Sequence, residues 1–292
     1  MTQDSSAPAG FEAERPRLRA LAYRMLGSAT EADDAVQEAW LRYDRADLAQ
    51  VRNLPAWLTT VVTRVCLNLL RARRTRREES LESFTTDWLG AADHDRVPQE
   101  EAELADSIGL ALLVVLDRLS PAERVAFVLH DMFDVAFGDI AHMMERDPAA
   151  VRQLASRARA KIRGGTGTKT ADAARRRQAV EAYLTATRTG DFEALLRLLD
   201  PQVELRADPE ATGAAGPLTL QGALVVAKSA LASAPRARFT APALVDGRPA
   251  LVMAPLGRLC VVIRFTFADS TITAIDVTAA PSRLRAFEIT LD

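Results

Sequence analysis

The sequence predicts a multidomain protein in which two all-α domains, the second a helix-turn-helix, precede one α+β domain. The first two thirds of the chain repeat apolar residues at helical spacing, whereas the last third contains short segments rich in Val, Ile, Thr and Phe. Helices followed by an antiparallel run of strands are typical of an α+β domain. We expect the following division: a disordered tail at 1–10, helical domains at 11–79 and 104–165, linkers at 80–103 and 166–174, and the α+β domain at 175–292.

The composition is that of an ordinary globular protein with neither a disulfide framework nor a membrane span. The 292 residues carry a formal net charge of −2, and 48% of them are hydrophobic. Cys66 and Cys260 lie in unrelated segments, which argues against a disulfide and against a cysteine-based zinc site. No apolar run approaches the length that a bilayer requires. We therefore expect a cytoplasmic protein that needs no metal and no cofactor.

The first helical domain ends in a long helix with one polar face. The helix before it, "SATEADDAVQEAWLRY", offers Ser28 or Thr30 as its N-cap and has acidic residues in its first turn. The long helix begins near Pro55, which suits a first-turn position. A polar stripe runs along it at spacings of i, i+4, i+8 and i+11, formed by Thr60, Arg64, Asn68 and Arg71. Five arginines between 71 and 77 end the helix.

The second helical domain ends in the basic helix "DPAAVRQLASRARAKIRGG", which Asp147 caps and Pro148 begins. Its apolar residues fall within one arc of about 100° and leave the opposite side to long cationic side chains. The short helix "DVAFGDIAHMMER" lies upstream, so the pair has the proportions of a helix-turn-helix. Arginine reads guanine and glutamine reads adenine, which predicts DNA as the target. Glu145 stands where the turn of such motifs usually has glycine, so either this residue adopts an unusual backbone conformation or the turn differs in detail.

Three stretches carry a resemblance to a known family. "LAYRMLGSATEADDAVQEAWLRYDRA" resembles region 2 of bacterial sigma factors, and "PAWLTTVVTRVCLNLLRARRTRR" resembles its helix for promoter melting and −10 recognition. "LSPAERVAFVLHDMFDVAFGDIAHMMERDPAAVRQLASRARAKI" resembles region 4. The chain is similar to the compact extracytoplasmic-function (ECF) sigma factors, in the SigJ-type group with a SnoaL-like C-terminal domain. The resemblance implies a non-enzymatic subunit that directs core RNA polymerase to specific promoters.

The resemblance also implies three sets of binding residues. The resemblance implies that the factor contacts core RNA polymerase at its β′ clamp helices and at its β flap. The set that docks on the β′ clamp helices is Asp33, Asp34, Gln37, Glu38 and Trp40. A second set meets promoter DNA at the −10 region: Arg64, Asn68, Arg71, Arg73 and Arg74. A third set meets the −35 region: Arg152, Gln153, Ser156, Arg157 and Arg159.

The C-terminal third resembles a SnoaL-like domain, a fold shared with cyclases and isomerases. All three histidines precede residue 166, which leaves carboxylates as candidates for a general base: Glu204, Asp208, Asp246 and Asp276. No pairing of an acid with an oxyanion donor is recognisable from their spacing, so we expect no catalytic residues. The resemblance implies instead that the domain regulates promoter opening in place of a separate anti-sigma partner. The residues implied in this interdomain control are Trp88, Asp208, Asp246, Gly247, Arg248 and Pro249.

Three alternatives stay open at this point. A helix-turn-helix regulator without polymerase would bind duplex DNA by itself. A SnoaL-like cyclase or isomerase with a DNA-binding appendage would have a deep pocket with an ionisable group of raised pKa. The third alternative is a C-terminal domain that binds a small ligand and thereby sets transcriptional activity.

Overall fold

The computed structural model describes residues 7–47, 51–90, 109–163 and 171–291, with side chains at 10–47, 51–73, 109–163, 171–255 and 257–291. The described residues divide into two compact units, each considered by itself. One unit consists of the described residues within Met1–Glu78 and Leu116–Ala160. The other consists of those within Glu79–Val115 and Lys161–Asp292. The two predicted helical domains therefore contribute to a single packed unit.

The helices of the predicted helical domains are α1 (Ala7–Leu26), α2 (Ala29–Asp44), α3 (Leu54–Gly90), α4 (Leu110–Asp117), α5 (Pro121–Phe127), α6 (Phe137–Met144) and α7 (Pro148–Arg163). A π-helical turn, Val128–Met132, follows α5. Ser28 caps α2, since its hydroxyl accepts a hydrogen bond from the backbone N–H of Glu31, which confirms one of the two predicted N-caps. A capping box of Ser120 and Glu123 begins α5.

Helix α3 is longer than the predicted first helical domain. It continues past residue 79 to Gly90, into the stretch that we expected to be a linker. Its first part, residues 80–90, contains no proline and no glycine before Gly90, so nothing there breaks a helix. Polarity without an apolar period was therefore a poor reason to predict a linker there. The rest of that linker, 91–103, lies outside the described residues, and α1 begins inside the predicted tail.

The helix-turn-helix is present as predicted. Glu145 is the C-cap of α6 and adopts a left-handed conformation with φ 54° and ψ 49°, so the first of the two alternatives for this position is confirmed. Asp147 begins α7, because its Oδ1 accepts a hydrogen bond from the N–H of Ala149 at 2.7 Å. The predicted apolar face of α7 is buried, and its members are Val151, Leu154, Ala155, Ala158 and Ile162.

The C-terminal domain is α+β, with helices packed on one mixed seven-stranded sheet. Its helices are α8 (Ala171–Thr189), α9 (Phe192–Leu198), α10 (Pro209–Thr212), α11 (Ala223–Ala232), α12 (Ala234–Ala237) and α13 (Pro281–Ala286), with a 3-10 turn at Pro255–Gly257. Its strands are β1 (Leu199–Ala207), β2 (Leu218–Gln221), β3 (Thr240–Val245), β4 (Arg248–Met253), β5 (Val261–Ala268), β6 (Thr271–Thr278) and β7 (Ile289–Thr290).

The sheet differs from the predicted antiparallel run in one pair of strands. The strand order is β2-β1-β6-β5-β4-β3-β7, and β1 pairs with β6 in parallel while the other pairs are antiparallel. The sequence predicts five strands, at 202–207, 238–245, 249–255, 258–267 and 270–279, and β1, β3, β4, β5 and β6 confirm them. Strands β2 and β7 were missed because they are short. Strands β1 and β6 are neighbours in the sheet, but most of the domain's sequence lies between them. Their parallel pairing therefore has no local sequence signal.

Candidate nucleic-acid interface

Helix α7 presents a polar, cationic face to solvent. Arg152, Gln153, Ser156 and Arg157 are all exposed along it. The guanidinium of Arg152 lies 5.8 Å from the ring centroid of Phe137, which positions this arginine at the start of α7 by a cation–π contact. The buried face of α7 fixes the helix on the domain, so these four side chains project from a rigid surface.

Arg159, the fifth residue expected at the −35 region, has a different environment. Its Nε donates to Oδ1 of Asp131 at 2.6 Å, and Asp131 lies in the π-helical turn. This ion pair ties the end of α7 to the turn after α5. No sequence pattern predicts this ion pair, because the two residues are 28 positions apart and belong to different elements.

Helix α3 carries the second expected surface. Arg64, Asn68 and Arg71 are exposed on it, as the polar stripe predicts. Arg64 also contacts the helix-turn-helix: its Nε donates to the carbonyl of Met143 at 3.3 Å, and its Nη2 lies 3.3 Å from Oε1 of Glu145. The face expected at the −10 region and the turn of the helix-turn-helix therefore meet within one packed unit.

Arg73 is placed by contacts inside the first helical domain. Its guanidinium forms an ion pair with Glu31 and donates from Nη1 to the carbonyl of Leu26 at 2.6 Å. The side chain is 23% exposed, and these bonds tie α3 to the junction of α1 and α2. A structural role thus competes with the predicted phosphate contact. The side chain of Arg74 lies outside the described residues.

The acidic face of α2 is partly paired. Asp33 accepts from Arg19 Nε at 2.6 Å, and Glu38 pairs with Arg42 at 3.2 Å, while Asp34 is exposed. Gln37 is also exposed, on the same side of the helix.

Trp40 belongs to an aromatic cluster rather than standing free in solvent. Its ring centroid lies 5.0 Å from that of Phe11 in an edge-on arrangement and 5.6 Å from that of Tyr43. The ring is half-buried, so Trp40 holds α2 against α1 as well as bordering the acidic face.

Asp208 joins the carboxyl ends of two neighbouring parallel strands, β1 and β6, in the α+β domain. Its carboxylate accepts hydrogen bonds from the backbone N–H groups of Ala211 at 3.1 Å, Ala279 at 2.9 and 3.0 Å, and Ala280 at 3.0 Å. The side chain is 9% exposed, with Arg283 at 3.8 Å. These bonds cap α10 and tie the end of β1 to the segment after β6, which is a structural use of the residue within its own domain.

Asp246 and Gly247 form the tight turn between β3 and β4, both with positive φ, at 50° and 73°. Oδ1 of Asp246 also accepts from the N–H of Glu288 at 2.9 Å, so the turn holds the C-terminal segment. Arg248 and Pro249 begin β4 opposite Val245 and Leu244. The predicted interdomain role of these four residues stays a prediction. Trp88 lies on α3, and its side chain is outside the described residues.

The α+β domain contains a cavity of about 280 Å³ whose described lining residues include no carboxylate and no histidine. The four carboxylates considered as a general base thus lie elsewhere. Glu204 pairs with Arg206 at 2.6 Å, and this hydrogen bond lowers the pKa of Glu204. Asp276 stands opposite Arg206 and Arg264 in the sheet. The sequence did not point to the residues that line the cavity, because they come from four helices and six strands.

Across the described ranges, no group of three or more His, Cys, Asp or Glu side chains is placed to hold a metal ion. In the same part of the chain, no helix is long and apolar enough to cross a membrane.

Comparison with known proteins gives two family matches and several relatives along the chain. Residues 11–76 match sigma-70 region 2, and residues 109–162 match sigma-70 region 4. The chain is 32% identical over 290 residues to a probable ECF RNA polymerase sigma factor, SigI of Mycobacterium tuberculosis, covering 97% of both chains. It is 39% identical over 205 residues to SigJ of the same organism, covering 68% of this chain and 64% of SigJ. The crystal structure of SigJ aligns with 29% identity over 95% of this chain and 98% of that one, with a TM-score of 0.42.

Proposed function

The chain belongs to the ECF sigma factors of RNA polymerase, and from that premise we propose that α3 recognises the −10 element while α7 recognises the −35 element. Sigma factors bind core RNA polymerase and promoter DNA and have no catalytic activity of their own. The observation that carries the residue assignment is that both helices expose a polar, cationic face while burying the opposite one.

At the −35 element, Arg152, Gln153, Ser156 and Arg157 enter the major groove. Arginine and glutamine are suited to this because each forms paired hydrogen bonds with one base, guanine and adenine respectively. Arg159, held by Asp131, is better placed for a phosphate than for a base.

At the −10 element, Arg64, Asn68 and Arg71 contact the melted strand. Their exposed polar stripe supports this assignment, since a single strand presents both phosphates and unstacked bases. Arg73 and Arg74 contribute positive charge to the contact with the phosphate backbone of the DNA. Arg73 does so only when its ion pair with Glu31 is broken.

Core polymerase docks on α2 through its β′ clamp helices and on the helix-turn-helix domain through its β flap. Asp34 and Gln37 are exposed for this contact, and Asp33, Glu38 and Trp40 border it. Acidic groups facing a basic partner make the docking sensitive to salt. The complex forms in the cytoplasm.

The C-terminal domain modulates transcription in the place of a separate anti-sigma protein. The α+β fold and the absence of a carboxylate from its described cavity lining favour a regulator over an enzyme. Trp88, Asp208 and the turn from Asp246 to Pro249 couple this domain to promoter binding, as the resemblance implies.

Run-off transcription with purified core polymerase tests this function on genomic promoter fragments. We expect a specific transcript from the full chain, and Arg152→Ala or Gln153→Ala should reduce promoter affinity about 5- to 150-fold and relax selectivity at one base pair. Arg197→Ala, at an exposed site of α9, is the matched control and should leave the transcript unchanged. Duplex binding without polymerase, and no transcript, would contradict the proposal.

A further inference from the structure

The cavity of the α+β domain is large enough for a small organic molecule. Its volume is about 280 Å³, whereas a single buried water needs on the order of 10–15 Å³ by a comparable measure. Small-molecule pockets begin near this size. Helices α8, α11 and α12 and strands β1, β4, β5 and β6 all contribute to its wall.

The wall is apolar on the sheet side and polar on one helical side. Leucine, isoleucine, valine and methionine side chains from the strands form the apolar part: Leu205, Leu251, Met253, Val261, Ile263, Ile275 and Val277. Ser229, Ser233 and Arg236 line the other side at spacings of four and three residues, along α11 and into α12. The guanidinium of Arg236 donates to Oγ of Ser233 at 3.5 Å.

Arg236 contributes a cationic side chain to the wall of this cavity. Among the described residues, no carboxylate pairs with its guanidinium. The positive charge of Arg236 acts on the buried Cys260 thiol. Burial raises the pKa of this thiol, and Arg236 opposes that rise. A half-buried guanidinium next to an apolar wall calls for an anion, because arginine stays protonated.

A second polar group faces the same space. Tyr183 lines the cavity and is only 6% exposed, and within the described part of the chain its hydroxyl has no hydrogen-bond partner. Its ring is held edge-on against Phe265, with centroids 5.2 Å apart. A buried tyrosine hydroxyl usually finds a partner.

We propose that this cavity binds a small amphipathic carboxylate. The carboxylate group pairs with Arg236 and accepts from the hydroxyl of Ser229, while the apolar body lies against the strand residues. The hydroxyl of Ser233 donates to the carbonyl of Ser229 at 3.2 Å and accepts from Arg236, so it helps to position the guanidinium. An oxygen on that body accepts from Tyr183 where the ligand has one. The binding itself does not depend on the sigma-factor role, so its test needs no polymerase.

Thermal unfolding and ligand-observed NMR of the full chain, with octanoate, 3-phenylpropionate and their neutral amides as probes, test this proposal. We expect at least one carboxylate to bind and stabilise the protein, with its amide binding at least tenfold more weakly, since hydrogen bonds to charged groups are the stronger ones. Arg236→Gln should weaken carboxylate binding about tenfold or more, and Arg236→Lys should restore part of it. Arg197→Gln is the control for a change of charge.

Several results of these experiments would contradict the proposal. No stabilisation and no NMR contact with either carboxylate at millimolar concentration would overturn the proposal. Equal binding of acid and amide, or unchanged binding by folded Arg236→Gln, would also overturn it.

Discussion

Replacing Asp208 by alanine should destabilise the α+β domain by about 3 kcal/mol. The carboxylate accepts hydrogen bonds from three backbone N–H groups, those of Ala211, Ala279 and Ala280. Leaving a buried donor without a partner costs about 1–3 kcal/mol, and we take the lower value for each of the three donors. For a domain of this size, that corresponds to a fall in melting temperature of about 10 °C.

Differential scanning calorimetry of the full chain measures this effect, since the domain itself contains no tryptophan whose fluorescence would report its unfolding. Asp208→Asn keeps one acceptor oxygen and should lose less stability than Asp208→Ala. Glu193→Ala, at a site 88% exposed, is the control and should melt like the wild type. A melting temperature for Asp208→Ala within about 2 °C of the wild type would refute the structural assignment and reopen the general-base alternative.

Three further predictions concern stability and reactivity. Arg73→Gln should lower the free energy of unfolding by about 1–3 kcal/mol in urea titrations, because Glu31 loses its partner; an unchanged midpoint would instead favour a DNA role alone. Ser120→Ala should cost about 0.5–2 kcal/mol by the same measurement, through loss of the capping box, and no loss would contradict that role. Burial raises the pKa of Cys66 to about 12 and raises that of Cys260, so a thiol-reactive disulfide reagent at pH 8 should modify both only after unfolding. Because the Cys66 thiol stays protonated in the folded chain while the unfolded thiol ionises from about pH 9, stability should fall between pH 9 and 12; rapid modification of the native protein would contradict both statements.

Features whose signal is local could be read from the sequence. The buried face of α7 follows from apolar spacing within one helix, and the turn at Asp246 and Gly247 follows from two adjacent residues. The left-handed Glu145 was predictable because the motif around it fixes the backbone that this position must adopt.

Features that depend on residues far apart in the chain could not be predicted from the sequence. The ion pair of Arg73 with Glu31 joins helices 42 residues apart along the chain, and the bonds of Asp208 reach 71 and 72 residues onward. A charge pattern marks such residues as candidates for binding, but it does not show which of them fold back onto the protein. The length of α3 was missed for a different reason: a polar stretch without glycine or proline can continue a helix as well as form a linker.

Permanganate footprinting of promoter DNA, which marks unpaired thymines, tests whether this chain opens a promoter together with core polymerase. Duplex fragments are incubated with the protein alone, with core polymerase alone, and with both. We expect reactive thymines at the −10 element only when both are present, and a weaker signal with Asn68→Ala. Protection of duplex DNA by the protein alone, with no unpaired thymine when polymerase is added, would contradict it.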